Sequence, residues 1–322
     1  MTSSANRVWI GVDVGGTKVL AGVVDEFGRV VRTARRATPG RRVEVAQVED
    51  ALGSAVIEAA AGAPIAGVGV AAAGFVDVSG QRVMFAPHLP WQGEDVQQRL
   101  ADRWGVSVVL DNDANCAALA ESTYGAARGT RSAIMVTMGT GIGGGIVMGG
   151  HLVRGANGMA GEFGHMQVVP GGHPCECGGH GCWEQYSSGN ALVRFARQRM
   201  EELPSVLHEA TEGHPDRLTG PMVSDAAAAG DLVARQAFAA VGDWLGVGVA
   251  NLVAAFDPEV VVVGGGVSTA GDRLLGPARD ALRRSLVGAA HRGVPPLVAA
   301  LLGPQAGLVG AAELARRAQA RR

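Results

Sequence analysis

Three of the four cysteines, Cys175, Cys177 and Cys182, fall within eight residues of the stretch "GHPCECGGHGCWEQ". Disulfides are rare in reducing compartments, and an odd number of thiols cannot pair completely. Thiolates separated by glycines suit a tetrahedral zinc, which takes four ligands. A fourth ligand could come from His165, His173 or His180, and spacing alone does not choose among them. A redox or chance cluster is the plainer reading of the same cysteines. A site with three cysteines and one histidine leaves no open position for water, so it is expected to be structural rather than catalytic.

Carboxylates bracket that loop and recur elsewhere. Glu162, His165 and Glu184 are the residue types that accept from and donate to the hydroxyl groups of a sugar. A ring nitrogen of His165 not given to the metal would be free for a ligand. In "DNDAN", Asp111, Asn112 and Asp113 stand between an apolar strand and an Ala-rich helix. Helix capping explains one such residue, and four of five are Asp or Asn. Asp113 could therefore serve as the base for a sugar hydroxyl, with Asn112 orienting it. Cys116, outside the cysteine loop, reads as a small buried hydrophobe; Trp183 could pack as core or lie against an apolar sugar face, and core is favoured.

Three glycine turns could hold an anion, because successive backbone N–H groups make a concave site. "DVGGTK" adds Asp13, Thr17 and Lys18. "GTGIGGG" adds Thr140, and "VVGGGVS" follows an apolar strand. Lys18 is the only lysine among 28 basic residues. A carboxylate such as Asp13 beside a phosphate site suits Mg²⁺. Closing a hairpin is the alternative role for each turn. Neither the P-loop nor the dinucleotide fingerprint fits: "DVGGTK" lacks the P-loop spacing, and β-like sequence follows the match at Gly139, Gly141 and Gly144.

These residues need strands and helices to place them. The opening "VWIGVDVGGTKVLAGVV" predicts strand, turn, strand, and "AIMVTMGTGIGGGIVMGG" repeats the design. Residues 43–62 predict a helix, Ile65 to Gly74 a buried strand, and Ala191–Glu202 a helix. Residues 204–223, punctuated by Pro, Gly and Asp, predict a surface loop. Long helices are expected over 225–256, a strand at "EVVVV", and a final helix in "AGLVGAAELARRAQA". Two halves of similar order point to an internal duplication. The expected architecture is two α/β domains with a cleft between them, a small one over 1–112 plus 306–322 and a large one over 113–305.

Composition narrows the partners. The chain has 322 residues, is 47% hydrophobic and carries a net charge of -2. Without a basic surplus, nucleic acid is not expected. No apolar run reaches the roughly 18 residues that span a membrane, and "MTSSANRVWIGVD" has no leader-peptide pattern, so a cytoplasmic protein is expected.

Taken together, "DVGGTK", "DNDAN", "GTGIGGG", "GEFGH", "CECGGHGCWEQ" and "VVGGGVS" resemble the ROK family of sugar kinases and sugar-responsive repressors. They occur in the family's order across most of the chain. With "CWEQYSSG" and "AGLVGAA" the likeness is nearest the family's actinobacterial glucokinases. The resemblance implies an actin-like (ribonuclease H-like) ATPase fold and transfer of the γ-phosphate of ATP to the 6-hydroxyl of glucose. It implies Asp113 as the base, and Gly74, Asn112, Asp113, Glu162, His165 and Glu184 at the sugar. For ATP and Mg²⁺ it implies Asp13, Gly15, Gly16, Thr17 and Lys18, then Thr140 and Gly141, then Gly265 and Gly266. It assigns His165, Cys175, Cys177 and Cys182 to a structural Zn²⁺ and implies a homodimer or homotetramer.

One departure is His88 in "FAPHLPW", where related glucokinases commonly carry Asn. That stretch lies near the sugar in the family, so any difference in hexose selectivity is expected there. A kinase for mannose, fructose or an N-acyl hexosamine is the alternative, as is polyphosphate as donor. The polyphosphate-using members generally lack the cysteine cluster, which favours ATP. A sugar-sensing repressor would need a DNA-binding domain ahead of Asp13, and only twelve residues precede it.

Overall fold

A computed structural model describes residues 7–320. The first six residues, part of the segment read as carrying no leader, lie outside the described residues. In chain order the elements begin with β1 (Val8–Val14), β2 (Lys18–Val24), β3 (Val30–Ala37) and α1 (Val45–Ala60). Next come β4 (Ile65–Ala72), β5 (Phe75–Val76), β6 (Val83–Phe85), α2 (Val96–Trp104), β7 (Val108–Asn112) and α3 (Asp113–Tyr124). The middle of the chain forms β8 (Ala133–Met138), β9 (Ile142–Met148), β10 (His151–Leu152) and α4 (Gly189–Met200). It continues through α5 (Leu207–Ala210), α6 (Gly220–Ala228) and α7 (Leu232–Phe256). The chain closes with β11 (Val260–Gly264), α8 (Asp272–Ser285), β12 (Leu297–Ala299) and α9 (Ala306–Ala320).

The described residues divide into two compact units. One contains residues 7–131, 145–161 and 301–320; the other contains 132–144 and 162–300. This grouping keeps α3 with the first unit, whereas the sequence reading ended the small domain at residue 112.

Two five-stranded sheets repeat one design, in the orders β3-β2-β1-β4-β7 and β10-β9-β8-β11-β12. In the first, β1 pairs antiparallel with β2 and parallel with β4, and β4 pairs parallel with β7. In the second, β8 pairs parallel with β11, and β11 with β12. A hairpin leads each sheet and parallel strands complete it, the pattern read from the sequence as a duplication.

Alternation and small residues explain the packing of the first sheet. Ile10, Val12 and Val14 of β1 are buried with Val68 and Val70 of β4, and with Val48, Leu52 and Val56 of α1. On the other side, α9 lies unusually close. A Cβ at Gly69 would stand 1.8 Å from Ala311 O, and one at Gly310 would stand 1.7 Å from Cys116 O. The small residues of "AGLVGAA" are what let this helix approach both β4 and α3.

Two expectations are corrected. Residues 204–223 are not a surface loop: α5 and the start of α6 lie there, and Leu207, Leu218 and Val223 are buried. Pro215 and Pro221 sit at the starts of helical turns, where a missing N–H costs nothing, so the punctuation marked helix starts. In addition, α7 contains an 18-residue window of mean hydropathy 1.5, long and apolar enough to cross a membrane by length and composition. Of that window, 61% is buried inside the protein, as in a core helix. Phe238, Leu245 and Val249 are wholly buried.

Candidate active site and metal centre

The β7–α3 corner places "DNDAN". Parallel pairing aligns Val14 with Ala72 and Ala72 with Asn112, so β1, β4 and β7 end level. Gly15, Gly74 and Asp113 follow those ends, where open parallel sheets carry their ligands. Asp113 is the first residue of α3, and its Oδ1 accepts from Ala114 N at 2.9 Å. The Asn112 side chain caps α3, with Oδ1 accepting from Ala114 N at 2.8 Å and Asn115 N at 3.1 Å. Its Nδ2 donates to Gly74 O at 3.0 Å. Capping thus accounts for Asn112, and among the described residues its Nδ2 donates only to Gly74 O, which leaves a second N–H of the amide.

Asp111 is committed elsewhere. It is buried, and Arg154 donates to its Oδ2 through Nε at 2.8 Å and Nη2 at 2.6 Å. Its Oδ1 accepts from Asn112 N and from Asn115 Nδ2, both at 2.9 Å. Of the two aspartates in the motif, Asp113 is the one that follows the strand end, as the first residue of α3, while Asp111 lies within β7. Sequence reading passed over Arg154; its signal was a single charge after an apolar strand in "HLVRGANG". Cys116, fully buried behind this corner, has its thiol pushed far up by burial and then by Asp111 and Asp113. It is inert packing, as expected.

The first glycine turn joins β1 to β2. Gly15 N donates to Lys18 O at 3.1 Å, and Thr38 Oγ1 donates to Gly15 O at 2.7 Å. Among the described residues, no protein acceptor takes the N–H of Gly16 or Thr17, as an anion-binding turn requires. His88 packs over this turn, leaving only 2.6 Å between its Cβ and a Cβ built at Gly16. Burial pushes the Asp13 carboxyl up from its usual value, and the charge of Lys18 opposes the shift.

A raised carboxylate pKa disfavours the folded state increasingly as pH rises above the usual value. Asp13→Asn removes that cost. We expect the variant to melt higher than wild type at pH 7 and equally at pH 3, by calorimetry. An equal or lower melting temperature at pH 7 would contradict the reading.

In the other unit, Glu162, His165 and Glu184 come together around the cysteine loop. One ligand atom each from His165, Cys175, Cys177 and Cys182 lies within 4.8 Å of the others. His165 Nδ1 is 3.7 Å from Cys175 Sγ, and Cys177 Sγ is 3.6 Å from Cys182 Sγ. A tetrahedron with Zn–S of about 2.3 Å and Zn–N of about 2.0 Å has edges of about 3.5–3.8 Å. The donor set and spacing therefore fit a metal ion of this kind, and geometry selects His165 over His173 and His180. Burial pushes the Cys175 thiol up to about 12, so a bound cation would be needed to hold it as a thiolate.

Nδ1 of His165 faces the sulfurs, and Nε2 stands 4.0 Å from Glu162 Oε2. Burial raises the Glu162 carboxyl; Glu184 adds to the rise and His165 opposes it. Glu184 links the loop to the second glycine turn. Its Oε1 is 3.1 Å from Cys175 Sγ, and its Oε2 accepts from Ile142 N at 3.3 Å. A Cβ at Gly141 would sit 2.3 Å from that Oε2, so any larger residue there would push the carboxylate out of this position.

Trp183, wholly buried, anchors the segment. Its Nε1 donates to Trp244 O at 2.8 Å, and its ring fills space that a Cβ at Gly248 of α7 would occupy. Thr140 is exposed in the β8–β9 turn. Gly265 and Gly266 follow β11, whose Gly264 pairs with Thr137 of β8, so both turns lie at one end of this sheet.

The ROK family profile matches residues 9–318. A glucokinase of Streptomyces coelicolor is 46% identical over 310 residues, covering 95% of this chain and 97% of that protein. Among solved structures, a ROK family glucokinase from Streptomyces griseus in complex with glucose and AMPPNP is 46% identical, with a TM-score of 0.87. That match covers 96% of this chain and 99% of the other. A ROK hexokinase from Thermus thermophilus is 35% identical with a TM-score of 0.78, covering 98% and 100% of the two chains.

Proposed function

Because this chain belongs to the ROK family, whose kinases share the actin-like ATPase fold, we propose that it is an ATP-dependent glucokinase. It transfers the γ-phosphoryl group of ATP to the 6-hydroxyl of D-glucose, giving glucose 6-phosphate and ADP. The observation that carries this reading is the corner at Asp113. A carboxylate stands at the ends of the parallel strands, beside a turn with open N–H groups, in a chain 46% identical to a glucokinase.

Asp113 takes the proton of the 6-hydroxyl as the oxygen attacks. The open amide N–H of Asn112 and the backbone at Gly74 orient the sugar, with Glu162, His165 and Glu184 binding its other hydroxyls. The N–H groups at Gly16 and Thr17, the Lys18 ammonium, and the Thr140–Gly141 turn neutralise phosphate charge. Gly15 gives the first turn its bend, and Gly265 and Gly266 receive the adenosine side. Asp13 is the residue placed to hold Mg²⁺, which supplies charge neutralisation at the phosphates when bound. Zn²⁺ is the ion proposed for His165, Cys175, Cys177 and Cys182, where it fixes the ring that faces Glu162. A cytoplasmic homodimer or homotetramer belongs to the same reading.

The test is formation of the sugar 6-phosphate with Mg²⁺-ATP or polyphosphate as donor, and with glucose, mannose, fructose, N-acetylglucosamine and N-acetylmannosamine in parallel. Turnover dominated by glucose and ATP is expected. Preference for an N-acyl sugar would move the specificity and point to His88 on the Gly16 turn. No turnover on any sugar by folded, metal-loaded protein would overturn the kinase reading.

A further inference from the structure

We infer that Arg154 is a positioning residue for the proposed base. Through the buried carboxylate of Asp111 it fixes the backbone on both sides of Asp113. This rests on the reading of Asp113 given above.

The Arg154 guanidinium makes a two-point contact with Asp111 Oδ2, through Nε at 2.8 Å and Nη2 at 2.6 Å. Such paired contacts fix direction as well as distance. The other oxygen of Asp111 accepts from Asn112 N, just before Asp113, and from the side chain of Asn115, just after it. Asn112 in turn caps Ala114 N and Asn115 N. The residues flanking Asp113 are thus tied to one carboxylate, and the only basic side chain on that carboxylate among the described residues is Arg154.

The Asp111 side chain is 3% exposed and Arg154 27% exposed. Removing the cation would leave a buried, unpaired charge under the catalytic corner, a costly arrangement. The corner would escape it by shifting, and proton transfer is sensitive to shifts of about 1 Å. Arg154 comes from the stretch after β10, over forty residues along the chain from Asp111. Its side chain also lines an open cavity of about 660 Å³, wide enough to admit a small guanidinium from solution.

The test is Arg154→Ala in the full chain, with wild type, Asp111→Asn/Arg154→Ala and Asp113→Asn beside it. We expect kcat to fall 10- to 100-fold in Arg154→Ala, with KM for ATP within threefold of wild type. Millimolar methylguanidinium should restore at least fivefold of the loss, saturably, and should not restore Asp113→Asn. The double variant, which removes the unpaired charge while keeping acceptors for Asn112 N and Asn115 Nδ2, should recover most of kcat.

Hydrogen exchange of the peptide over residues 111–120 should quicken in Arg154→Ala and return toward wild type in the double variant. That measurement stands whether or not the wild type phosphorylates glucose, so a failure of the kinase reading is told apart from a failure here. If Arg154→Ala does not fold, the double variant decides. The inference is overturned by kcat within twofold of wild type in Arg154→Ala. Unchanged exchange over 111–120 would also overturn it, as would a folded double variant as impaired as Asp113→Asn.

Discussion

Replacing Asp113 with Asn is expected to lower kcat by about 10²- to 10⁴-fold, the range a positioned general base supplies, while leaving the fold intact. The substitution keeps the shape of the side chain. Its carbonyl oxygen can still accept from Ala114 N, as Asp113 Oδ1 does at 2.9 Å. On the proposed mechanism it loses the ability to take a proton from the sugar hydroxyl. KM for ATP should stay within a few-fold of wild type, because the first glycine turn is built by Gly15, Lys18 and Thr38 rather than by α3. Asp111→Asn makes the informative contrast. It keeps Asp113 but removes the charge that pairs with Arg154, so its main effect should be on stability and corner order. Coupled ADP-release kinetics with a calorimetric melt of each variant separate the two. Residual kcat above a tenth of wild type in Asp113→Asn would remove that residue from the role of base.

Loss of the metal is the second large effect. The purified chain is expected to hold one zinc ion, measured by elemental analysis, and Cys177→Ser to hold none. Cys177 is exposed while Cys175 and Cys182 are buried, so Cys177→Ser disturbs packing least and reports on the metal itself. KM for glucose should rise about 10- to 100-fold, the usual cost of disordering a metal site's supporting shell, with KM for ATP changed far less. The physical route is short. His165 gives Nδ1 toward the sulfurs and presents Nε2 toward Glu162, and Glu184 contacts Cys175 Sγ. Without the proposed ion the His165 ring would lose its anchor, and the segment carrying Glu184, two residues after Cys182, would lose the tie that holds it to the loop. Cys116→Ser, lying outside the loop, should keep full zinc. A zinc-free chain with wild-type KM for glucose would show that the loop does not order the sugar-binding residues.

Much of this was legible before any coordinates. Hairpins at Gly15 and Gly141 follow from β-branched runs broken by glycine. The strand-to-helix corner at Asn112 follows from an apolar run meeting a capping residue. Both are local: the backbone preferences and hydrogen bonds involved lie within a few residues of one another. The burial of Cys116 and Trp183 was likewise readable, because large or apolar side chains in apolar runs seek the core.

Other features could not be read locally. Spacing left His165, His173 and His180 equally able to complete the cysteine site, because reach in a glycine-rich loop depends on its path. Only the folded loop brings His165 Nδ1 to 3.7 Å from Cys175 Sγ. The run over 204–223 reads as a loop because proline and glycine break periodicity, whereas its short helices bury Leu207 and Leu218. The sequence singled out Asp113 as the candidate base but gave no partner for Asp111. The fold adds a guanidinium from a distant segment, which occupies the buried carboxylate of Asp111, and sets Asp113 just past the strand end as the first residue of α3. The sequence by itself determined the residue types, the turns and the repeated strand order, since those rest on short-range propensity and periodicity. Tertiary structure decided which guanidinium clamps Asp111, which histidine meets the thiols and which carboxylate reaches Gly141, since each depends on atoms brought together only by packing.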